Sequence, residues 1–181
     1  MKLVIASDIH GSLQFAQRLM EHVAQEDPDY LVLLGDLLYH GPRNALPEGY
    51  DPAAVATLLN GAPAPIIAVR GNCEAEVDQM LLDFPCMDTT ARLIDGPVTL
   101  LCSHGHVVAP DSHPPLTAPA ALLTGHTHCK TLEEREGVWY VNPGSVSLPK
   151  DGQRSFATYE SGTFALKSLD TGETLASATL G

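Results

Sequence analysis

Residues 2–12 read KLVIASDIHGS and residues 30–36 read YLVLLGD. Each opens with a short apolar, partly β-branched run, Lys2–Ala6 and Tyr30–Leu34, and each breaks at a glycine beside an aspartate or histidine. Apolar runs of that length, bounded by turn residues, read as buried strands. Between them Leu13, Ala16, Leu19, Met20 and Val23 recur at helical spacing. Ser12 stands where an N-cap belongs, and Asp27-Pro28-Asp29 ends the pattern. After a loop rich in Pro, Gly and Asn (His40 to Pro52), Pro52–Asn60 predicts a second helix closed by Gly61. Pro65–Val69 (PIIAV) predicts a third strand that breaks at Arg70-Gly71-Asn72-Cys73. Strand–helix–strand–helix–strand is the pattern of an α/β fold with a parallel sheet and helical crossovers.

The second half differs. Pro97–Ser103, Ala121–Thr124, Val138–Val141, Phe156–Glu160 and Phe164–Leu169 are short, turn-bounded runs that suit a mixed or antiparallel sheet. Pro110–Pro119 (PDSHPPLTAP) is too rich in proline to be anything but a loop. No repeat or linker interrupts the chain, so residues 1–181 are expected to form one domain.

Composition removes several function classes. Ten Lys+Arg against 22 Asp+Glu give a formal charge of −12. Extended nucleic acids and anionic membranes are bound through basic patches, and a chain this acidic is expected to bind neither. No apolar run approaches the roughly 20 residues of a membrane span, and no cleavage site follows the first strand. Cys73, Cys86, Cys102 and Cys129 lie far apart with no C-x-x-C pair, which reads as reduced thiols in a cytoplasmic protein.

What stands at the strand ends carries the chemistry. They deliver Asp8-x-His10, Gly35-Asp36, Gly71-Asn72, His104-Gly105-His106 and Gly125-His126-Thr127-His128. In open α/β sheets, ligands sit beyond the carboxyl ends of the strands. Carboxylate, imidazole and amide oxygen together suit divalent Mn, Fe, Co, Ni or Zn. Asp8, His10, Asp36, Asn72, His104, His126 and His128 are too many donors for one ion. Two ions roughly 3.5–4 Å apart, sharing one carboxylate, would use them all. Such a pair clamps a phosphate, converts a water to hydroxide at neutral pH and neutralises charge on the phosphoryl oxygens. Each motif alone is a common turn or cap; all five at strand ends of one chain are not.

These five motifs resemble those of the calcineurin-like metallophosphoesterases, over Met1 to about Pro149. His40–Pro47 (HGPRNALP), Val69–Glu74 (VRGNCE) and Asn142–Ser145 (NPGS) are similar to the small bacterial YfcE-type phosphodiesterases. The resemblance implies a four-layer fold: two packed mixed β-sheets flanked by helices. It implies Asp8, His10 and His128 on one metal, Asn72, His104 and His126 on a second, and Asp36 bridging them, with manganese the usual ion. It implies hydrolysis of small phosphodiesters by in-line attack of a metal-bound hydroxide, with Asp36, Asn72, Cys73 and His104 as the catalytic set and a homo-oligomeric assembly. Many relatives carry histidine where this chain has Cys73, and a thiol is a weak proton donor. Esters with good leaving groups are therefore the expected substrates. His40 and Arg43, in the loop after Asp36, and His106 are the expected substrate contacts, with Arg43 suited to bidentate phosphate binding. Glu74 is expected to partner a ligand histidine. The rival implication is a protein-interaction scaffold of the kind the same fold provides in the retromer complex. Competent donors at all seven positions favour the enzyme.

Overall fold

Successive side chains of a strand point to opposite faces, and the first strand shows what that achieves. In β1 (Lys2–Ala6), Val4 and Ala6 face the helices while Leu3 and Ile5 face a second sheet, all fully buried. β2 (Tyr30–Leu33) pairs with it in parallel, Val4 opposite Leu31 and Ile5 opposite Val32, and divides its residues in the same way. A strand buried on both faces needs an unbroken apolar run, which is what the sequence shows at both places.

The structure is a computed structural model and describes residues 1–180. The crossovers are α1 (Leu13–Glu26), between β1 and β2, and α2 (Pro52–Asn60), between β2 and β3 (Ile66–Ala68). α1 buries Phe15, Ala16, Leu19, Met20 and Val23. Its N-terminus departs from expectation. Ser12 occupies the N-cap position, but its hydroxyl donates to the carbonyl of Glu48 (2.5 Å) rather than capping the helix, and so pins the long loop to the first turn. Asp51 caps α2, accepting from Ala54 N–H at 3.0 Å, with Pro52 at the first helical position.

The remaining elements are α3 (Glu76–Leu81), β4 (Thr90–Asp95), β5 (Val98–Ser103), β6 (Ala120–Leu123), β7 (Thr131–Arg135), β8 (Val138–Asn142), β9 (Ser155–Glu160), β10 (Thr163–Ser168) and β11 (Thr174–Thr179). Of these α3, β4, β7 and β11 were not foreseen. One sheet has the order β11-β10-β9-β1-β2-β3, the other β4-β5-β6-β8-β7. Both are mixed: β1, β2 and β3 run parallel while β9 opposes β1, and β5, β6 and β8 run parallel between antiparallel edges. The two sheets pack through Leu3, Ile5, Val32 and Leu34 against Leu100, Cys102, Ala121 and Leu123. Each buried leucine, isoleucine or valine among them contributes roughly 1.5–3 kcal/mol. The outer face of the second sheet is covered by Val108 and by Leu116 of the proline-rich loop, so the fourth layer is thin. Among the described residues no helix is long and apolar enough to cross a membrane. All four cysteines are free thiols.

Candidate metal centre

The parallel strands of both sheets point their carboxyl ends at one rim. β1 leads into Asp8 and His10, β2 into Asp36, β3 into Asn72, β5 into His104, and β6 into His126 and His128. To turn donors back over the rim, the chain leaves extended geometry abruptly. Asp8, His10, Asp36, His126 and His128 all have positive φ, between 50° and 66°. They are five of the eight non-glycine residues in that conformation. Such backbone costs of order 1–3 kcal/mol per residue and gathers at functional sites. Gly71 allows a close approach: a Cβ there would collide with the carboxylate and backbone nitrogen of Asp36.

Backbone carbonyls orient the histidine rings. His10 Nδ1 donates to Tyr39 O (2.8 Å), His104 Nδ1 to Leu34 O (2.6 Å) and His128 Nδ1 to Leu148 O (2.6 Å). A carbonyl only accepts, so each Nδ1 carries a proton, and in the neutral ring each Nε2 is left with a bare lone pair. Those lone pairs converge. His10 Nε2 and His128 Nε2 are 3.2 Å apart, and Asp8 Oδ1 lies 3.7 Å from the first and 3.3 Å from the second. Asp8 Oδ1 is buried and has no hydrogen-bond partner, while Oδ2 accepts from His126 N–H at 3.0 Å. On the other side, His104 Nε2 faces Asn72 Oδ1 at 3.1 Å and His126 Nδ1 at 3.2 Å.

Asp36 stands between the two groups. Its Oδ2 is 3.7 Å from His10 Nε2 and its Oδ1 3.5 Å from His104 Nε2. Donor atoms of Asp8, His10 and His128 lie within 4.8 Å of one another, and so do those of Asp8, Asp36 and His104. Buried acceptors facing one another, with an unpartnered carboxylate oxygen among them, repel unless a cation lies between. The arrangement fits divalent ions.

Opposing forces set the protonation of these groups. Burial works against an ionised Asp8, yet the close His128 ring and the fields of His104 and His10 hold its carboxyl below the usual range. Burial pulls His10 and His126 down, so both favour the neutral form. Burial also opposes charge on His128, but Asp8 and the Leu148 carbonyl outweigh it and raise that ring. Burial, then the Asp36 carboxylate, pushes the Cys73 thiol far up.

A cavity of about 540 Å³ opens over the centre, lined by Asp36, Arg43, Asn72, His126, His128 and Lys150 among others. Arg43 thus stands in the cavity wall, and His106 stands exposed at the rim with its ring centroid 5.3 Å from that of His104. His40 does not line the cavity: it packs edge-on between Tyr39 and Tyr50, its Nδ1 buried and unpartnered. Lys150 and Asn44 line the cavity without having been singled out. Lys150 follows a loop whose Leu148 carbonyl holds a ligand ring, which is the link that could have found it.

Glu74 departs from expectation. It touches no ligand histidine; its buried carboxylate accepts from the backbone N–H groups of Asp36 (2.9 Å), Leu37 (2.7 Å) and Gly71 (2.5 Å), bolting the β2 and β3 turns together. Burial and the nearby Asp36 charge raise its pKa, and the three N–H groups work against that rise. Ser145 and Ser147 donate to Asp8 O (2.8 and 3.2 Å), and Asn142 Nδ2 donates to Gly125 O (2.7 Å). The Asn-Pro-Gly-Ser turn thus buttresses the centre through backbone atoms.

Known proteins resemble this chain in sequence and in fold. Phosphodiesterase YfcE of Escherichia coli (strain K12) is 51% identical over 152 residues, 84% of this chain and 83% of that protein. The solved structure of YfcE, a phosphoesterase from E. coli, superposes over the whole of both chains with a TM-score of 0.96 and 43% identity. Wild-type Vps29 of Entamoeba histolytica, solved with zinc, shares the fold at a TM-score of 0.62 and 17% identity over both full chains. The family model of the calcineurin-like phosphoesterase superfamily domain matches residues 1–163, and the chain belongs to that superfamily.

Proposed function

We propose that this protein is a metal-dependent phosphodiesterase acting on small phosphodiesters, built as one domain over residues 1–181 around two divalent ions, with manganese the foremost candidate. The observation that carries the reading is Asp36, whose two carboxylate oxygens face different histidine groups. A carboxylate placed so is suited to bridge. Asp8, His10 and His128 would hold one ion, and Asn72, His104 and His126 the other. Bound there, the ions would supply Lewis-acid neutralisation of the phosphoryl oxygens and acidify water. The similarity to a phosphodiesterase at 51% identity supports the same reaction class.

The chain's own residues do the rest. The carbonyls of Tyr39, Leu34 and Leu148 keep three rings in the tautomer that leaves Nε2 free, so no reorientation is needed as substrate binds. Asp8 and Asp36, both buried, concentrate negative charge that only cations offset, which lets a protein of charge −12 present a positive face to an anion. Arg43, and Lys150 at the cavity wall, suit the outer phosphate oxygens. Cys73 lies beside Asp36, its N–H donating to Asp36 Oδ1 at 2.9 Å, and its thiol retains its proton. It gives a leaving oxygen little help, which favours aryl over alkyl esters. Four unpaired thiols support a reducing, cytoplasmic setting.

The test is hydrolysis of a chromogenic aryl phosphodiester with Mn²⁺. Turnover should require the ion, stop with a chelator and vanish in Asp36→Asn. A folded protein without turnover in any divalent metal overturns the reading. Binding of no more than a single ion per chain overturns the two-ion centre.

A further inference from the structure

Cys73 stands between two cavities of opposite character. On one side is the polar cavity over the metal centre, with Arg43 and Lys150 in its wall. On the other a cleft of about 320 Å³ runs between residues 38–53 and α3, lined by Leu38, Tyr39, Tyr50, Cys73, Val77 and Leu81 among others. Three of these are large apolar side chains left in water: Tyr39 is 41% exposed, Val77 56% and Leu81 49%. Clustered apolar exposure of this kind marks a binding surface.

Both walls are fastened to the turns that carry metal donors. The carbonyl of Tyr39 holds His10, Tyr50 bridges to Ser12, and Asp51 N–H donates to Gly11 O at 2.8 Å. α3 begins two residues after Glu74, whose carboxylate is bolted to the Asp36 and Gly71 turns. The cleft is therefore fixed in relation to the centre, and Cys73 lines both it and the polar cavity.

The lining selects the occupant. Its charged member, Asp78, is buried and accepts from Ala75 N–H at 2.8 Å, so the cleft offers an anion nothing. A dry cavity of about 150 Å³ is enough for benzene, so there is room for an aromatic ring between the tyrosines and the aliphatic side chains of α3. We infer that this cleft is a subsite for a planar, apolar ester substituent of the substrate, an aryl group lying across Cys73 from the scissile phosphate. The inference rests on the phosphodiesterase reading above and narrows its substrate class to diesters with one aromatic arm.

Calorimetric titration of the full chain, loaded with Mn²⁺, against two anions that carry no ester bond tests it: benzyl(methyl)phosphinate and dimethylphosphinate. The benzyl compound should bind tighter by roughly tenfold or more. Val77→Asp and, separately, Leu81→Gln should bring the ratio of the two affinities towards one; both positions are exposed, so folding should survive, as melting by circular dichroism checks. Equal affinities in the parent protein, or a preference that persists in both variants, overturns the subsite. So does a dimer in sedimentation that Val77→Asp dissociates and the benzyl compound does not, because a second copy would then fill the cleft. Preference for the benzyl compound without hydrolysis of any diester refutes the phosphodiesterase reading and leaves the cleft standing. Hydrolysis without preference refutes the cleft alone.

Discussion

His10 and His128 face the same carboxylate, yet their basicities shift in opposite directions. Burial dominates for His10, so its folded pKa falls below 6.5; the stability it contributes is present above that value and lost as pH falls through the lowered one. His128 lies above 6.5; its contribution is full below 6.5 and lost as pH rises through the raised value. A divalent ion needs both rings neutral. Mn²⁺ binding at about pH 7 should therefore expel a proton chiefly from His128. Calorimetry in two buffers of different ionisation heat should show that release, and show it diminished in His128→Gln; proton-neutral binding would contradict the assignment. Cys73 gives a second expectation. Cys73→His supplies a proton donor beside the leaving oxygen, so turnover of alkyl phosphodiesters should rise more than that of aryl ones, by up to about 10²–10⁴-fold. Equal changes across both series would refute the acid argument. The seven expected donors lie at one rim and were legible because each stands within a few residues of the end of an apolar run. Glu74 was not, because its partners are peptide N–H groups, and a sequence does not show where those will lie.

At the level of elements, the ends of strands matter more than their middles. Five residues in three turns adopt left-handed backbone, and a carboxylate clamp ties one of those turns, at Asp36, to the Gly71 turn. In Glu74→Gln one acceptor oxygen becomes an amide that faces N–H groups. That leaves a buried donor unsatisfied and should cost about 1–3 kcal/mol, measured as a lower urea midpoint at unchanged slope. A midpoint equal to the parent's would show that the clamp carries no stability. Two of the strands missed in the sequence share a cause. β7 (TLEER) and β11 (TLASAT) are edge strands with mostly exposed side chains, so neither carries the alternation or apolar run that announces a strand. α3 is six residues long and mostly exposed, too short for periodicity to register. The central strands, buried on both faces, could be read directly.

Across the whole molecule, the centre gathers segments far apart in the chain: His10 and His128 are separated by 118 positions and follow strands of different sheets. An ion held there favours the folded state alone. At a hundred times its dissociation constant it adds about 2.7 kcal/mol, a rise in Tm of roughly 5–10 °C for a chain of this size. Differential scanning should show that gain with Mn²⁺ and its reversal by chelator, and no gain in a variant lacking both Asp8 and Asp36. The joining of two sheets could be expected from the resemblance but not from residue periodicity, since nothing local tells a strand which sheet it will enter. The peptide oxygens of Leu34, Tyr39 and Leu148 that steer the rings have a practical consequence. Every amino acid carries that oxygen, so the side chain at position 39 can be randomised to alter what the protein accepts while the imidazoles stay aimed. A library built there would explore new chemistry without dismantling the machinery beneath it.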